Sequence, residues 1–110
     1  MVEEIPFIIV MDKEIENKLP EIRALFEKYG AKSAYLFGSS AKGTNNANSD
    51  VDFLYSFPNE LDVETYFNSY FKLVTDLEIL LKKKIDLTAE KTLKNPFLIE
   101  SINESKIRLI

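Results

Sequence analysis

The sequence Leu36-Phe37-Gly38-Ser39 is followed, after ten intervening residues, by Asp50-Val51-Asp52-Phe53, and this pair of segments is the most informative part of the chain for its fold. An apolar run leads into the Gly-Ser pair, and a second apolar run begins at the Asp-Val-Asp sequence. Glycine lets a backbone approach a phosphate closely, and the N–H groups and the serine hydroxyl can donate hydrogen bonds to it. The stretch therefore predicts two buried strands, the first ending in a turn or short helix suited to phosphate.

Three aspartates on two predicted strands supply the candidate chemistry. Alternate side chains of a strand share a face, so Asp50 and Asp52 are expected on the same side, and Asp86 lies in the short apolar run Ile85 to Leu87. If these strands are neighbours, the carboxylates converge, and two such charges about 4 Å apart repel by roughly 4 kcal/mol at an effective dielectric near 20. A divalent cation relieves that repulsion, and oxygen-only ligands favour Mg²⁺ or Mn²⁺.

The nucleotide-binding residues are predicted around these acids. Gly38 and Ser39 are expected to bind the phosphates, Lys42 to add a positive charge one turn onward, and Ser49 to contribute next to the acids. A Gly-Lys-Ser/Thr signature is absent, which disfavours a P-loop ATPase.

Composition limits the classes of function. The length of 110 residues indicates one domain over residues 1–110. The net charge is −4, and the chain has no cysteine and no histidine. Disulfides, thiolate metal sites and imidazole catalysis are thereby excluded, and no basic surface argues for nucleic-acid binding. The apolar segment 5–11 follows acidic residues and is too short to span a bilayer, so we expect no membrane association and a cytoplasmic location.

Hydrophobic periodicity and turn signals predict the elements. The first helix is expected at 13–29 after an Asp12 cap, with a kink or a restart at Pro20. The second is expected at 63–83 after an Asp62 cap, and a third, short helix near 96–103. Strands are expected at 33–37, 51–57, 85–88 and 106–110. The alternation predicts an α/β (α+β) domain in which a small mixed β-sheet packs against helices, with the acids at one edge of the sheet.

The long helix is predicted to pack on the core through its aromatic and aliphatic side chains. The apolar face at helical spacing comprises Val63, Phe67, Tyr70, Val74, Leu77 and Leu81. The aromatic group Tyr66, Phe67, Tyr70 and Phe71 is assigned to core and helix packing rather than to stacking on nucleic-acid bases.

Gly38-Ser39, Asp50-Val51-Asp52 and the later Asp86 together resemble the minimal nucleotidyltransferase (MNT) domain of the DNA polymerase β-like superfamily. The resemblance covers essentially the whole chain and implies the nucleotidyltransferase fold, ATP as substrate and two Mg²⁺ ions held by the three aspartates. It also implies that Gly-Ser binds the β- and γ-phosphates and that Asp86 helps deprotonate the acceptor hydroxyl. Relatives often have arginine where this chain has Ser40 and Lys42, and lysine lacks the bidentate fork.

Stand-alone MNT proteins of this size resemble antitoxins of HEPN/MNT toxin–antitoxin pairs. That resemblance implies AMPylation, in which AMP moves from ATP to a tyrosine of a HEPN-type ribonuclease toxin, and a hetero-oligomer with the toxin. The apolar segment 5–11 and residues Ile107 to Ile110 are the candidate contact surfaces.

Two other functions remain open at this point. One is nucleotidyl transfer to a small molecule, although the chain has no room for the additional helical domain that usually forms the acceptor pocket. The other is non-catalytic capture of a partner by stoichiometric binding. Template-directed polymerisation is disfavoured because a basic DNA-binding surface is missing.

Overall fold

The computed structural model describes residues 12–42 and 50–110, with only the backbone of Ser39 and Lys42 described; the predicted segment 5–11 and Ser49 therefore lie outside the described residues. Four strands and five α-helices occur in the described part of the chain, with a 3₁₀ turn at Glu90–Thr92. In chain order they are α1 Lys13–Asn17, α2 Leu19–Lys28, β1 Ser33–Phe37, α3 Ser39–Lys42, β2 Val51–Ser56, α4 Val63–Leu81, β3 Ile85–Ala89, α5 Pro96–Ser105 and β4 Ile107–Arg108.

The first predicted helix is two helices. Asp12 caps α1, its Oδ1 accepting hydrogen bonds from the backbone N–H groups of Glu14 (2.7 Å) and Ile15 (3.3 Å). Lys18 separates the two helices, and Pro20 occupies the first turn of α2, where its missing N–H costs no intrahelical bond. The structure thus confirms the restart at Pro20 rather than a kink.

In the mixed sheet, the strand that precedes the Gly-Ser pair and the strand that contains Asp52 are central, and the strand that contains Asp86 is at one edge. The strand order is β3-β2-β1-β4, and β2 is antiparallel to β1 but parallel to β3. Val51, Phe53 and Tyr55 of β2 are buried on one face, together with Leu73 and Leu77 of α4 and Ile22 and Phe26 of α2. Because side chains alternate along a strand, Asp52 points to the opposite face of the sheet.

Helix α4 begins and ends at identifiable signals. The Asp62 carboxylate accepts a hydrogen bond from the backbone N–H of Thr65 at 3.3 Å, which confirms the predicted cap. The helix ends at Lys82, which has the left-handed φ of 56° that usually favours glycine.

The predicted apolar face of α4 is wrong at its N-terminal half. Leu73 and Leu77 are buried, but the exposed fractions of Val63, Phe67 and Phe71 are 73%, 51% and 61%. The helix has more apolar positions than the core-facing stripe can bury, because a second stripe lies along 63, 67 and 71.

The C-terminal segment is part of the sheet. Asn95 caps α5, and β4 then pairs with β1 through Tyr35–Arg108 and Leu36–Ile107. Leu109 is 5% exposed and joins the core, so it is not available as the partner-contact residue that the sequence suggested. Within the described residues, no helix has the length and apolar character to cross a bilayer.

Candidate active site

The Gly-Ser turn is shaped by the close approach of an acid. Strand β1 ends at Phe37, Gly38 adopts a left-handed φ of 76°, and α3 begins at Ser39. A Cβ atom added to Gly38 would overlap Oδ2 of Asp52 and lie 3.2 Å from its Cγ. Glycine is therefore required here twice, by the backbone conformation and by the space that the Asp52 carboxylate occupies.

Sheet register brings Asp52 and Asp86 side by side. The two residues are direct partners in the parallel pairing of β2 and β3, and Phe37 is the partner of Asp52 on the other side. Paired residues point to the same face of a sheet, so Asp52 lies between the Phe37 ring and the Asp86 carboxylate. Asp50 lies immediately before β2, and both it and Asp86 are exposed. The register thus brings together two of the three predicted carboxylates, Asp52 and Asp86.

The electrostatics of this cluster are unfavourable without a counter-ion. Burial is the largest cause of the raised pKa of Asp52, and together with the negative charges of Asp86 and Asp50 and a hydrogen bond that the protonated Asp52 carboxyl donates to Asp86, it raises this pKa from 3.8 to about 6. An opposite charge nearby would favour the ionised form instead. The residues present therefore fit a divalent cation, since they are oxygen ligands whose repulsion it would relieve.

The carboxylates would be only part of the ligand set of such a cation. In the described ranges, no three acidic side chains are grouped closely enough to enclose an ion by themselves. Mg²⁺ characteristically binds one or two carboxylates together with waters and substrate phosphates. The arrangement suits that kind of site, with Asp52 and Asp86 as a pair and Asp50 beside it.

The remaining predicted residues are located less completely. Ser39 and Lys42 are the first and last residues of α3, directly after the Gly38 turn. Ser40, between them, is fully buried, and its hydroxyl has no hydrogen-bond partner among the described residues. Ser40 thus belongs to the packing of α3 against the sheet.

Sequence reasoning missed a groove beside β3. A cavity of about 580 Å³ lies between the first half of α4 and the strand that contains Asp86, lined among others by Phe67, Tyr70, Leu87 and Thr88. The Tyr70 hydroxyl donates to the Leu87 carbonyl at 3.4 Å, and burial and then the Asp86 charge raise the pKa of Tyr70. The available signal was the second apolar stripe of α4, with Val63, Phe67 and Phe71 four residues apart.

Comparison with known families and proteins agrees with this geometry. The family described as polymerase beta, nucleotidyltransferase, matches residues 20–110. A candidate protein adenylyltransferase of Methanocaldococcus jannaschii, MJ1379, is 39% identical over 97 residues, covering 86% of this chain and 91% of the relative. A second from the same organism, MJ0128, is 37% identical over 95 residues with the same coverage.

Solved structures show the same fold. A candidate minimal nucleotidyltransferase has a TM-score of 0.72 at 28% identity, covering 88% of this chain and 95% of that one. A chain of a toxin–antitoxin structure with AMP-PNP has a TM-score of 0.65 at 23% identity, covering 84% and 72% of the two chains. A tri-AMPylated Shewanella oneidensis HEPN toxin in complex with an MNT antitoxin gives 0.60 at 18% identity, covering 86% and 71%. The last two likenesses concern the fold alone.

Proposed function

Because the chain belongs to the polymerase β-like family of minimal nucleotidyltransferases, we propose that it transfers AMP from ATP to a tyrosine hydroxyl of a HEPN-type toxin protein. The observation that supports this most strongly is the packing of Gly38 against Asp52 with Asp86 as its register partner. That arrangement puts a phosphate-binding turn next to a pair of carboxylates, which are the two parts that nucleotidyl transfer needs.

In the proposed reaction the acceptor oxygen forms a bond to the α-phosphorus of ATP, and the bond from that phosphorus to the bridging oxygen of pyrophosphate breaks. The backbone at Gly38 and Ser39 binds the outer phosphates, and Lys42 adds a positive charge to the same end of the nucleotide. Asp86, at the exposed edge of the pair, accepts the proton that the acceptor hydroxyl loses. Ser49 completes the proposed nucleotide contacts.

Asp50, Asp52 and Asp86 would hold Mg²⁺, with two ions as the proposed number and Mn²⁺ as a substitute. Bound there, the metal would neutralise charge on the phosphates and on the acceptor oxygen. The role of the chain's own residues is to fix that position, because β2 and β3 pair rigidly at Asp52 and Asp86.

A protein acceptor is favoured over a small molecule for two reasons. The chain covers 91% of a relative named as a candidate protein adenylyltransferase, so the likeness extends over almost all of that protein. The described residues also contain one sheet with its helices and no additional helical domain that could enclose a small acceptor. The MNT antitoxins among the structures of the same fold suggest a HEPN toxin as the acceptor and a hetero-oligomer as the working form.

The test is AMP transfer to a HEPN-type protein co-expressed with this chain. With ATP and Mg²⁺, intact-mass measurement should show the partner gaining the mass of AMP on tyrosine. Asp50→Asn combined with Asp52→Asn should lower the rate by about a hundredfold or more, because charge stabilisation provides most of this catalysis. Asp62→Asn, in the cap of α4 and outside the site, is the matched control and should retain activity. A partner that binds and is inactivated equally well by the double variant, with no adduct, would contradict the proposal and indicate stoichiometric capture.

A further inference from the structure

The groove beside β3 continues into a second cavity. This second cavity, of about 460 Å³, lies at the far end of the strands, and the two cavities share Tyr55, Tyr66, Ala89 and Lys91 as lining residues. We call the combined feature the β3 groove. It begins at Leu87 and Thr88, next to Asp86, and ends at Lys32 and Arg108. A strand rises about 3.3 Å per residue, so the distance from Asp86 to Glu90 is about 13 Å, the span of four or five extended residues.

The end of the groove near the active site is apolar. Val63 and Phe67 of α4 and Leu87 of β3 line it, and Phe71 stacks on Phe67 with ring centroids 6.2 Å apart. With about 200 Å² for each aromatic or aliphatic side chain, the exposed fractions of Val63, Phe67 and Phe71 amount to roughly 350 Å². A contiguous apolar patch of that size matches the largest patch on a typical monomeric protein, and such a patch often has a function.

The far end of the groove is basic in an otherwise acidic protein. Lys32, Lys91 and Arg108 line the second cavity with one acid, Glu90, although the net charge of the chain is −4. Tyr66 forms the junction between the two ends: its hydroxyl lies 2.5 Å from that of Tyr55, and the Lys91 ammonium lies 5.4 Å from its ring centroid. Cations beside these fixed aromatic rings favour a ligand that is negatively charged at this end.

We propose that the β3 groove binds the acceptor protein through a short segment in which apolar residues next to the modified hydroxyl are followed by acidic residues. This inference rests on the proposed function for the identity of that protein. Its own basis is the continuity of the groove with the strand that contains Asp86, together with the change from apolar to basic along its length. Asp86 lies on the opposite face of the sheet from this groove, but β3 is the edge strand, so a segment bound in the apolar end can pass around that edge and bring the acceptor hydroxyl to Asp86. Lys91, Lys32 and Arg108 then contact the acidic residues.

The test uses two blocked synthetic peptides, each with a tyrosine followed by two apolar residues. One peptide continues with two glutamates and the other with two lysines. Titrations of the isotopically labelled protein are followed by NMR, without ATP or metal. The glutamate peptide should shift resonances of Phe67, Tyr70, Leu87 and Lys91 and bind about tenfold or more tightly than the lysine peptide.

Substitutions in the groove have matched controls outside it. Lys91→Glu should reduce or reverse the preference between the peptides, whereas Lys94→Glu, three residues away and not lining either cavity, should leave it unchanged. Phe67→Asp should weaken both peptides about tenfold, whereas Phe97→Asp, at the more exposed start of α5, should weaken neither. Equal binding of the two peptides, binding of neither, shifts outside the groove, or self-association through this face would overturn the inference.

Failure of the proposed function and failure of the groove inference give different experimental results. Peptide binding in the groove without AMP transfer to any protein would contradict the proposed function but support binding in the β3 groove. If Phe67→Asp and Lys91→Glu do not slow AMP transfer, the groove inference is contradicted and the proposed function is supported.

Discussion

At the scale of single residues, Gly38 and Asp52 act as one unit. The glycine has no side chain where the carboxylate lies, and the carboxylate is thereby held half-buried between Phe37 and Asp86. Its raised pKa is the energetic consequence, because burial and like charges both disfavour ionisation. The arrangement lowers stability in the metal-free protein, and a cation bound beside Asp52 would offset that cost.

Replacing Asp52 with Asn should stabilise the metal-free protein at neutral pH. The pKa of Asp52 is about 6 in the folded state and near 3.8 when unfolded, so the folded state binds the proton more tightly. The stability it contributes is present below pH 4 and is lost as pH rises through 6. In EDTA, Asp52→Asn should exceed the wild type in unfolding free energy at pH 7.5, on the order of 1 kcal/mol after allowing for solvent screening of this half-exposed group.

Denaturant unfolding at pH 7.5 and 4.5 measures this difference, which should shrink at the lower pH. Asp62→Asn is the control of opposite sign, since hydrogen bonds from Thr65 lower the pKa of Asp62 below 3.8. Its difference from the wild type should not change between these two pH values. An Asp52→Asn protein less stable than the wild type at pH 7.5 would contradict the account.

Alanine at Gly38 should cost both stability and activity, and Gly30 provides the matched control. Both glycines have a left-handed φ, 76° and 80°, but a Cβ at Gly30 meets nothing within 4 Å. Each substitution should therefore cost about 1 kcal/mol of backbone strain. Only Gly38→Ala should cost more, by displacing the Asp52 carboxylate, and only it should abolish AMP transfer. Equal effects of the two substitutions on unfolding and on transfer would show that the close approach at Gly38 is unimportant.

At the scale of the elements, α4 has a buried face and an exposed apolar face. Leu73 and Leu77 pack on the sheet, while Val63, Phe67 and Phe71 remain exposed beside the strand of Asp86. The Tyr29 hydroxyl donates to Asp76 and ties the same helix to the end of α2. A helix held in this way offers a rigid surface beside the strand that contains Asp86.

The end of α4 offers a local gain in stability. Lys82 adopts a left-handed φ of 56°, so Lys82→Gly should stabilise the protein by about 0.5–1 kcal/mol through relief of strain. Lys84→Gly, two residues on and without a positive φ, is the control and should be neutral or destabilising. Thermal and denaturant unfolding measure both, and destabilisation by Lys82→Gly would contradict the conformation assigned to this cap.

Element type followed closely from the sequence, whereas the surface of α4 did not. The caps at Asp12, Asp62 and Asn95 act through local hydrogen bonds, so short-range residue preferences located the helices. Which apolar stripe of α4 is buried depends on where the sheet lies, and that information is not local. The exposure of Phe67 and Phe71 was therefore missed.

At the scale of the whole molecule, spacing along the chain predicted which residues lie close together, because sheet pairing converts spacing into proximity. Gly38 at the end of β1 and Asp52 at the start of β2 are brought together by antiparallel pairing, and Asp86 by parallel pairing. The β3 groove could not be predicted in that way, since its walls come from α4, β3 and the start of β1. The described part of the chain thus has the cluster of Gly38, Asp52 and Asp86 at one end of the strands, an apolar surface beside β3 and a basic group at the far end.

The most direct test of the account is the position of a divalent cation in a co-crystal with Mn²⁺ and a non-hydrolysable ATP analogue. Anomalous scattering should place Mn²⁺ in contact with carboxylate oxygens of Asp52 and Asp86 and with phosphate oxygens, with the outer phosphates at the Gly38 turn. Asp50 should contribute to the same site. A nucleotide bound with its metal away from Asp86, or phosphates remote from Gly38, would contradict the account.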